Sequence, residues 1–324
     1  MKQRLGVIGT FVWDVIYGRE PRVAPVEEWG GITYSLSGLD AALPDDWEIV
    51  PLMKVGTDLA PRARQFIASL HHIAPDAALV EVPYPNNRVE LRYFSDERRT
   101  ERLSGGVPGW NWLALKPLLV QARLDAIYVN FLSGWELDLA TAEELRSWFR
   151  GPIYADLHML VMAVQADGLR VPRPLSHVRQ WCGCFDLMQA NEDEIAMMAP
   201  DPMALAATAM HAGACCLSVT LGRRGAVYFA APGFHRLSDL ARTPNASGVT
   251  GPVRTGLVPA DVVTATADPT GCGDVWGATQ FSRLLAGDSL DEAIRAAHRA
   301  AGRNVEHRGA TGLADHLRGK LSAT

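Results

Sequence analysis

The segment ADPTGCGDVWGATQ, residues 267–280, places two glycines and a carboxylate directly before a predicted helix. Apolar residues recur at helical spacing through 275–285, and Gly287 is typical of a helix end. The turn of Gly271 and Gly273 therefore supplies the first backbone N–H groups of this helix, which have no partner within it. These groups and the helix dipole favour an anionic ligand, such as a phosphoryl group during its transfer.

Asp274 is the residue of this turn that could accept a proton. A carboxylate beside an anion-binding turn repels the anion unless it takes a proton from the attacking group. An aspartate with an ordinary pKa of about 3.9 is a weak base toward an alcohol. Phosphoryl transfer tolerates a weak base, because it depends chiefly on positioning and charge neutralisation. The segment taken alone also allows a plain helix cap in a glycine turn.

The rest of the chain predicts a framework that could position this turn. Short apolar runs alternate with helical patterns, which favours an α/β fold with a mostly parallel sheet covered on both faces. Capping boxes at 141–144 and 289–292 indicate two helix starts, and a third helix is predicted from Asp58. The predicted strands are 5–8, 49–55, 79–82, 126–130, 153–157, 187–190 and 216–219.

Two segments interrupt this alternation. Residues 87–103 alternate apolar and polar side chains as in a β-hairpin, and residues 13–31 are irregular and extended. We interpret both as parts of a small β-rich lid, at 13–36 and 85–105, inserted in one domain of 1–324. The alternative is a pair of surface loops without shared structure.

Charged residues of both signs interleave in the lid hairpin, and this pattern predicts a solvated face. A second interpretation has one or two of the arginines reaching an acidic or phosphorylated substrate. His158 follows a predicted strand, and we expect a structural role for it and for His71 and His72. The charged residues of the hairpin are Arg88, Glu90, Arg92, Asp96, Glu97, Arg98, Arg99, Glu101 and Arg102.

The composition excludes several classes of protein. The 324 residues include 48% hydrophobic residues and have a net charge of −5, which argues against a nucleic-acid partner. No apolar run is long enough to cross a bilayer, and the N-terminal 17 residues are better interpreted as a first β-strand than as a leader. The five cysteines lack zinc spacing. We therefore expect a cytoplasmic protein with no membrane partner.

ADPTGCGDVW resembles the signature of the PfkB (ribokinase-like) family of carbohydrate kinases. Weaker matches follow in the family's order: LGVIGTFVWD, Gly30-Gly31, LMKVGTD, the NxxE motif of Asn191 and Glu194, and VTLGRRGA. The resemblance implies a ribokinase-like three-layer α/β/α sandwich with a mostly parallel central sheet and a small β-rich lid. It also implies transfer of the γ-phosphate of ATP to a hydroxyl of a sugar-like small molecule.

The resemblance further implies roles for individual residues. Asp274 would be the catalytic base, and the anion hole would be formed by the backbone of Gly271, Cys272 and Gly273. Asn191 and Glu194 would act through water on Mg²⁺, and the remaining cofactor-binding residues would be Thr220, Gly222 and Asn304. The residues at the acceptor would be Asp14, Gly30, Gly31 and Ser35. A monovalent cation such as K⁺ would lie at Asp268 and Thr270.

The acceptor region departs from the family pattern. Val12 stands where the family often has Asn, and Ile32 and Ser35 stand where ribokinase has Lys and Asn, which argues against ribose. Trp13, Trp29 and Tyr34 could form an aromatic wall for a sugar face or a base, or they could be ordinary packing.

Other functions remain open at this stage. A nucleoside kinase of the same fold is one alternative, and a ligand-binding homologue without turnover is another. GVIGTF also suggests a Rossmann oxidoreductase, but the chain has no GxGxxG. An exposed lid edge would allow a homodimer.

Overall fold

The computed structural model describes residues 2–17, 24–93, 99–242, 251–261 and 269–320. Within these residues, a twelve-stranded sheet dominates the fold, and a two-stranded hairpin lies beside it. The strands are β1 (Gln3–Tyr17), β2 (Val26–Gly31), β3 (Trp47–Gly56), β4 (Val80–Val82), β5 (Asn87–Tyr93), β6 (Arg99–Ser104), β7 (Ala126–Asn130), β8 (Ile153–Asp156), β9 (Met162–Val164), β10 (Arg170–Pro172), β11 (Leu187–Asn191), β12 (Cys216–Thr220), β13 (Ala226–Ala230) and β14 (Arg254–Val258).

The helices alternate with these strands through most of the described chain. The helices are α1 (Ile32–Ala42), α2 (Ala60–Ala68), α3 (Trp112–Ala122), α4 (Leu139–Trp148), α5 (Val178–Gly183), α6 (Glu192–Ala196), α7 (Pro202–Ala212), α8 (Cys272–Leu285), α9 (Leu290–Asn304) and α10 (Leu313–Leu317). Three short 3₁₀ segments lie at His158–Val161, Gly222–Arg224 and Leu237–Arg242.

The main sheet has the strand order β14-β13-β12-β11-β8-β7-β1-β3-β4. All neighbours from β12 to β4 are parallel, and β13 and β14 add an antiparallel edge. Successive residues of a strand point to opposite faces of the sheet, so each strand contributes side chains to two cores. Helices cover both faces. In β7, Tyr128 belongs to the core that includes α1, α8 and α9, whereas Ile127 and Val129 belong to the core that includes α3, α4 and α7. The predicted three-layer α/β fold is confirmed.

Strand β1 is shared between two sheets. Its first part, Gln3 to Thr10, pairs with β3, and from Phe11 onward the strand pairs with β2 and β5. Residues 11–17 therefore join β2, β5 and β6 in what we call the small sheet. The sequence analysis placed a first strand within the N-terminal 17 residues and bounded it at 5–8, because nothing in the apolar pattern indicates that one strand continues into a second sheet.

Several local predictions can be compared with these elements. The capping box at Ser289 and Glu292 is confirmed. The one at 141–144 is wrong, because α4 begins earlier and the Asp138 side chain accepts from the Thr141 N–H instead. Residues 32–36, which we assigned to the lid, form the start of α1.

Among the described residues, no helix is both long and apolar enough to span a bilayer.

A buried carboxylate fixes the C-terminal helix to the first one. Asp40 of α1 accepts from the backbone N–H groups of His71 and His72, at 2.8 and 2.7 Å, and forms an ion pair with Arg318 beyond α10. Burial by itself would raise the pKa of Asp40, but the hydrogen bonds from His72 and the Arg318 guanidinium lower it to about 2. This site therefore joins three separate parts of the chain, and His71 and His72 have the structural role that we expected.

We predict that Asp40→Asn lowers the free energy of unfolding at pH 7 by about 3 kcal/mol, because the Arg318 charge loses its partner. A folded pKa below the unfolded value of about 3.9 stabilises the protein above pH 4, and this contribution disappears as the pH falls toward 2. Urea unfolding at pH 7 and pH 3 measures both effects.

Asp315→Asn is the matched control, since Asp315 also contacts Arg318 but is 43% exposed. Its cost should stay below about 1 kcal/mol. Equal costs for the two variants would contradict the role assigned to Asp40.

Candidate active site

A cavity of about 220 Å³ opens where β8, β11 and β12 end and α8 begins, and the small sheet lies across it. The carboxyl ends of parallel strands are where α/β folds bind ligands. The lining residues are Val12, Asp14, Gly31, Tyr34, Val89, Leu91, Glu101, Leu132, Asp156, His158, Met159, Arg170, Gln189, Asn191, Glu194, Thr220, Pro269, Thr270, Gly271, Gly273 and Asp274.

The turn before α8 has the backbone geometry that the sequence suggested. Gly271 has a φ of +75°, and a Cβ there would lie 2.2 Å from the Tyr34 ring, so only glycine fits. Gln189 fixes the turn by donating from Nε2 to the Gly273 carbonyl at 3.0 Å. Within the described residues, the amides of Gly271 and Gly273 have no acceptor, whereas the Cys272 N–H donates to the Pro269 carbonyl at 3.1 Å. Two amides that line the cavity are thus available to an anion, and the Cys272 amide is not.

Asp274 lies in the first turn of α8, and its carboxylate accepts a hydrogen bond from a residue at the end of β7. Asn130, the last residue of β7, donates from Nδ2 to Asp274 Oδ1 at 2.6 Å and to Ser35 Oγ at 2.9 Å. Ser35 is fully buried behind Asn130 and does not line the cavity, so the structure gives no support to a direct contact with an acceptor. Burial raises the pKa of Asp274, and the His158 charge and the Asn130 hydrogen bond partly oppose this.

The NxxE pair forms a cap and also lines the cavity. Asn191 Oδ1 accepts from the Glu194 N–H at 2.9 Å, and Glu194 Oε2 accepts from the Asn191 N–H at 2.8 Å. This is a complete capping box at the start of α6. The structural and functional interpretations of this motif are therefore compatible, because the same carboxylate caps a helix and faces the cavity.

His158 lies in the cavity against Glu194, although the sequence suggested only a structural role. Its Nδ1 is 2.9 Å from Glu194 Oε1. Burial would lower the pKa of His158, but the Glu194 hydrogen bond and charge, with those of Asp156 and Asp274, raise it to about 9. Burial also raises the pKa of Asp156 well above its usual range, against the opposing charge of His158. The end of the cavity at the turn before α8 thus combines three carboxyl groups with the His158 imidazole.

Asp14 lines the opposite part of the cavity, on the small sheet. A Cβ on Gly30 would lie 1.9 Å from Asp14 Oδ2, so the absence of a side chain on the neighbouring strand makes room for this carboxylate. Gly31 lines the cavity itself, and Gly30 acts through Asp14. Of the three aromatic residues that could have formed a wall, Tyr34 lines the cavity. Trp13 and Trp29 lie outside the lining and pack edge to face, with their ring centroids 5.0 Å apart.

A buried ion pair joins the small sheet to the hairpin of β9 and β10. Arg170 donates from Nη1 to Glu101 Oε2 at 3.1 Å and from Nη2 to the Leu132 carbonyl at 2.7 Å. Both charged residues line the cavity. The predicted solvated face is therefore wrong for Glu101.

The prediction of a solvated face is confirmed for those arginines whose side chains are described. They form exposed pairs, Arg88 with Asp58, Arg92 with Glu90 and Arg102 with Asp167. Arg98 lies outside the described residues, as does the side chain of Arg99.

The remaining candidate residues are divided between the cavity and its support. Thr220 and Thr270 line the cavity, whereas Gly222, with a φ of +57°, does not. Asn304 is buried behind the turn and donates from Nδ2 to the Thr270 carbonyl at 2.9 Å and to Cys272 Sγ at 3.3 Å. Asp268 lies outside the described residues.

The sequence analysis missed several lining or supporting residues. Asp156 ends a predicted strand, so the rule that ligands bind at strand ends could have identified it. Asn130 ends another strand and gave the same signal. The sequence contains no comparable signal for Arg170, because the hairpin that positions it has strands of only three residues.

Comparison with known proteins agrees with this geometry. Residues 161–316, which include the NxxE pair and the turn before α8, match the model of the pfkB family carbohydrate kinases. The resemblance to the PfkB family is confirmed. No curated protein sequence matches the chain.

Solved structures share the fold at low identity. Arabidopsis thaliana ribokinase, complexed with ribose and ATP, has a TM-score of 0.69 and 15% identity over 98% of this chain and 99% of its own. A pyrophosphate-dependent kinase of the ribokinase family has a TM-score of 0.69 and 14% identity over 95% and 96%. Burkholderia thailandensis nucleoside kinase, in complex with inosine, has a TM-score of 0.67 and 16% identity over 96% and 92%. The fold is ribokinase-like.

We predict that the Asp274 carboxyl titrates above the ordinary aspartate value in the folded protein. Asn130→Ala should raise this pKa further, because it removes a hydrogen bond that favours the ionised form. Carbon-13 NMR titration of the aspartate carboxyl groups, with Asp274→Asn for assignment, measures both values.

Asn111→Ala is the control, since Asn111 caps α3 away from the cavity and should leave the Asp274 titration unchanged. A titration near pH 4 in the wild type, or one unaffected by Asn130→Ala, would contradict the prediction.

Proposed function

We propose that the protein transfers the γ-phosphate of ATP to a hydroxyl of a sugar or sugar-like small molecule in the presence of Mg²⁺. The observation that carries this proposal is that Asp274 shares one cavity with the amides of Gly271 and Gly273, which have no acceptor among the described residues. A base and an anion hole at the same helix terminus suit a hydroxyl attacking a phosphoryl group. The PfkB match over residues 161–316 supports the same chemistry.

The base in this proposal is Asp274. Asn130 holds Oδ1, and the other carboxylate oxygen would orient the acceptor hydroxyl in line with phosphorus and take its proton late in the transfer. The raised pKa strengthens Asp274 as a base, provided that the pH is high enough to ionise it. The amides of Gly271 and Gly273 would stabilise the charge on the phosphoryl oxygens.

The donor set fits Mg²⁺ bound through water. Asn191 and Glu194 offer oxygen ligands, but both side chains are already committed to the capping box, and Glu194 also contacts His158. Mg²⁺ retains several waters and needs few direct protein ligands when phosphate oxygens complete its shell. The ion would neutralise phosphate charge. The imidazolium of His158 and the two turn amides would orient the phosphates beside it.

A monovalent cation behind the turn belongs to the same proposal. Asn304 Oδ1 is buried without a hydrogen-bond partner among the described residues, and its Nδ2 holds the Thr270 carbonyl. A cation such as K⁺ near Thr270 and Asp268 would satisfy an oxygen of this kind and stiffen the turn.

Two features of the reaction have alternatives. Pyrophosphate could replace ATP, since one solved structure of this fold is a pyrophosphate-dependent kinase. A nucleoside could replace the sugar, since another is a nucleoside kinase in complex with inosine. Trp13 and Trp29 do not line the cavity, so less aromatic surface is available to stack on a nucleobase. This favours the sugar-like acceptor.

We predict that Asp274→Asn lowers kcat at least about 100-fold on the best acceptor, because the amide cannot take the proton. The measurement is turnover with ATP and with pyrophosphate over sugars, polyols and nucleosides. In the wild type, kcat/KM should fall at acidic pH as Asp274 is protonated, and the raised pKa should place this fall above pH 4.

Asp76→Asn serves as the control, because Asp76 is an exposed carboxylate that pairs with Arg4 away from the cavity. Full activity in Asp274→Asn would refute the role of the base. Binding of ATP without transfer to any acceptor would favour a ligand-binding protein instead.

We also predict that replacing K⁺ with tetramethylammonium lowers kcat/KM, since the turn before α8 loses a ligand that stiffens it. Asn304→Leu should abolish the difference between the two salts, because the buried oxygen is gone. Equal activity in both salts would remove the cation from the proposal.

A further inference from the structure

One buried side chain of the central sheet holds the turn before α8. Gln189 lies in β11, is 3% exposed and reaches the wall of the cavity. Its Nε2 donates to the Gly273 carbonyl at 3.0 Å. Because a peptide bond is planar, a carbonyl that is held in place also fixes the N–H and the Cα of the next residue. That residue is Asp274, so Gln189 restrains the backbone of the proposed base, whereas Asn130 holds its carboxylate.

Tyr154 of β8 determines how the amide of Gln189 is oriented. Tyr154 is opposite Leu187 in the register of β8 and β11, so it lies two positions from Gln189 on the same face of the sheet. Its hydroxyl donates to Gln189 Oε1 at 2.9 Å. Burial raises the pKa of Tyr154 well above its usual value, so the hydroxyl keeps its proton at neutral pH. With Oε1 bound to this donor, Nε2 is directed at the Gly273 carbonyl.

The Tyr154 hydroxyl is itself fixed by the core. The ring stacks on Tyr128 with the centroids 5.3 Å apart, and the Phe281 ring packs against it at 5.2 Å. The hydroxyl is also 2.8 Å from Gln280 Oε1, and Gln280 Nε2 donates to Ser218 Oγ at 2.9 Å. A hydroxyl has one proton, so the two carboxamide oxygens share it. The position of this donor is therefore set before any ligand binds.

Gly277 leaves the space that the Gln189 amide occupies. It lies inside α8, where glycine is less favourable than alanine, and its φ is not positive. A Cβ at this position would lie 1.9 Å from Gln189 Oε1 and 3.1 Å from the Tyr154 oxygen. Close approach of the Gln189 side chain, and not the backbone conformation, thus accounts for this glycine.

We propose that Gln189 is a positioning residue for the proposed phosphotransfer, with Tyr154 as the group that orients its amide and Gly277 as the space that admits it. The inference rests on the proposed function and adds a second support for Asp274, from β11. A small displacement of a reacting group lowers the rate of the chemical step more than it weakens ligand binding. Loss of this support should therefore lower kcat and leave KM almost unchanged.

The first test removes both hydrogen bonds of Gln189. Gln189→Met keeps the length of the side chain but can neither donate to the Gly273 carbonyl nor accept from Tyr154. We expect kcat to fall at least about tenfold, with KM for the phosphate donor and for the best acceptor within about threefold of wild type. A rise in KM with unchanged kcat would mean that Gln189 acts by contacting a ligand, and it would overturn the inference.

The second test is a double-mutant cycle with Tyr154→Phe, which removes one hydroxyl from a residue that does not line the cavity. This variant should lower kcat about threefold or more, because the Gln189 amide is no longer held in one orientation. The double variant should be within about twofold of Gln189→Met, since both changes act through one amide. An unchanged kcat in Tyr154→Phe, or losses that multiply in the double variant, would overturn the inference.

Gln280→Met is the matched control. Gln280 is a second buried glutamine beside the Tyr154 hydroxyl, but its Nε2 donates to Ser218 and not to the turn. Its removal leaves the hydroxyl proton to Gln189. We expect kcat within about twofold of wild type, even where the unfolding midpoint falls. A loss of kcat equal to that of Gln189→Met would show a general effect of core polar groups and would overturn the inference.

A further variant tests the space at Gly277. Gly277→Ala should lower kcat, because the new Cβ displaces the Gln189 amide, although alanine is the better helix former. In a Gln189→Ala background the same substitution should lower the urea unfolding midpoint less than in the wild type, because the clash with Oε1 is gone. Equal shifts in the two backgrounds would contradict the role of Gly277 and overturn the inference.

A measurement that needs no turnover separates this inference from the proposed function. Nitrogen-15 relaxation of the Gly273 and Asp274 amides should give lower order parameters in Gln189→Met and Tyr154→Phe than in the wild type and Gln280→Met. If the wild type phosphorylates no acceptor with either donor, the proposed function fails, and the order parameters still show whether Gln189 fixes the turn. Unchanged order parameters in Gln189→Met would overturn the inference even in an active enzyme.

Discussion

The candidate site is organised around one half-buried carboxylate at a helix terminus. Asp274 sits where α8 begins, and burial makes its ionised form costly, which raises its pKa. Two groups oppose that cost, the charge of His158 and the short hydrogen bond from Asn130. Residues at the ends of β7 and β8 thus stabilise the ionised form of Asp274, which the N-terminus of α8 alone would not do. This balance matters for a general base, because a raised pKa strengthens the base but leaves less of it ionised at a given pH.

The same strand ends explain why polar groups converge without a common local sequence. Asn130, Asp156 and Asn191 each end a parallel strand, and the register brings them to one edge of the sheet. Glu194 then serves twice, as the N3 residue of a capping box and as the partner of His158. The Glu194 side chain thus stabilises a helix start and also faces the cavity. The structural interpretation of the NxxE motif therefore did not exclude the functional one.

What the sequence could reveal follows from the range of each interaction. The glycine turn and Asp274 lie within a few residues of each other, so their type and spacing predicted a glycine turn with Asp274 in the first turn of a helix. They did not predict that the Cys272 amide, which we had included in the anion hole, donates to the Pro269 carbonyl. The central parallel strands were predicted because their apolar runs are continuous. Glu101 and Arg170 are 69 residues apart, and Asn130 and Asp274 are 144 apart, so only the folded chain reveals these contacts. The face of a strand on which Glu101 lies depends on register, and a mixed-charge hairpin does not specify it.

The sharing of β1 between two sheets couples the two ends of the cavity. Thr10 contacts Glu136 in the main domain, and four residues later Asp14 lines the cavity from the small sheet. The hairpin of β9 and β10 closes the other side, because Arg170 joins Glu101 of the small sheet to the Leu132 carbonyl of the main domain. The small sheet is therefore tied to the main domain through a continuous strand on one side and a buried ion pair on the other. A continuous strand resists bending more than a side-chain contact does, so any opening of the small sheet should hinge near β1 and break the Arg170 contacts first. In the proposed reaction, an acceptor bound beside Asp14 would oppose that opening, so its binding would be linked to closure of the small sheet.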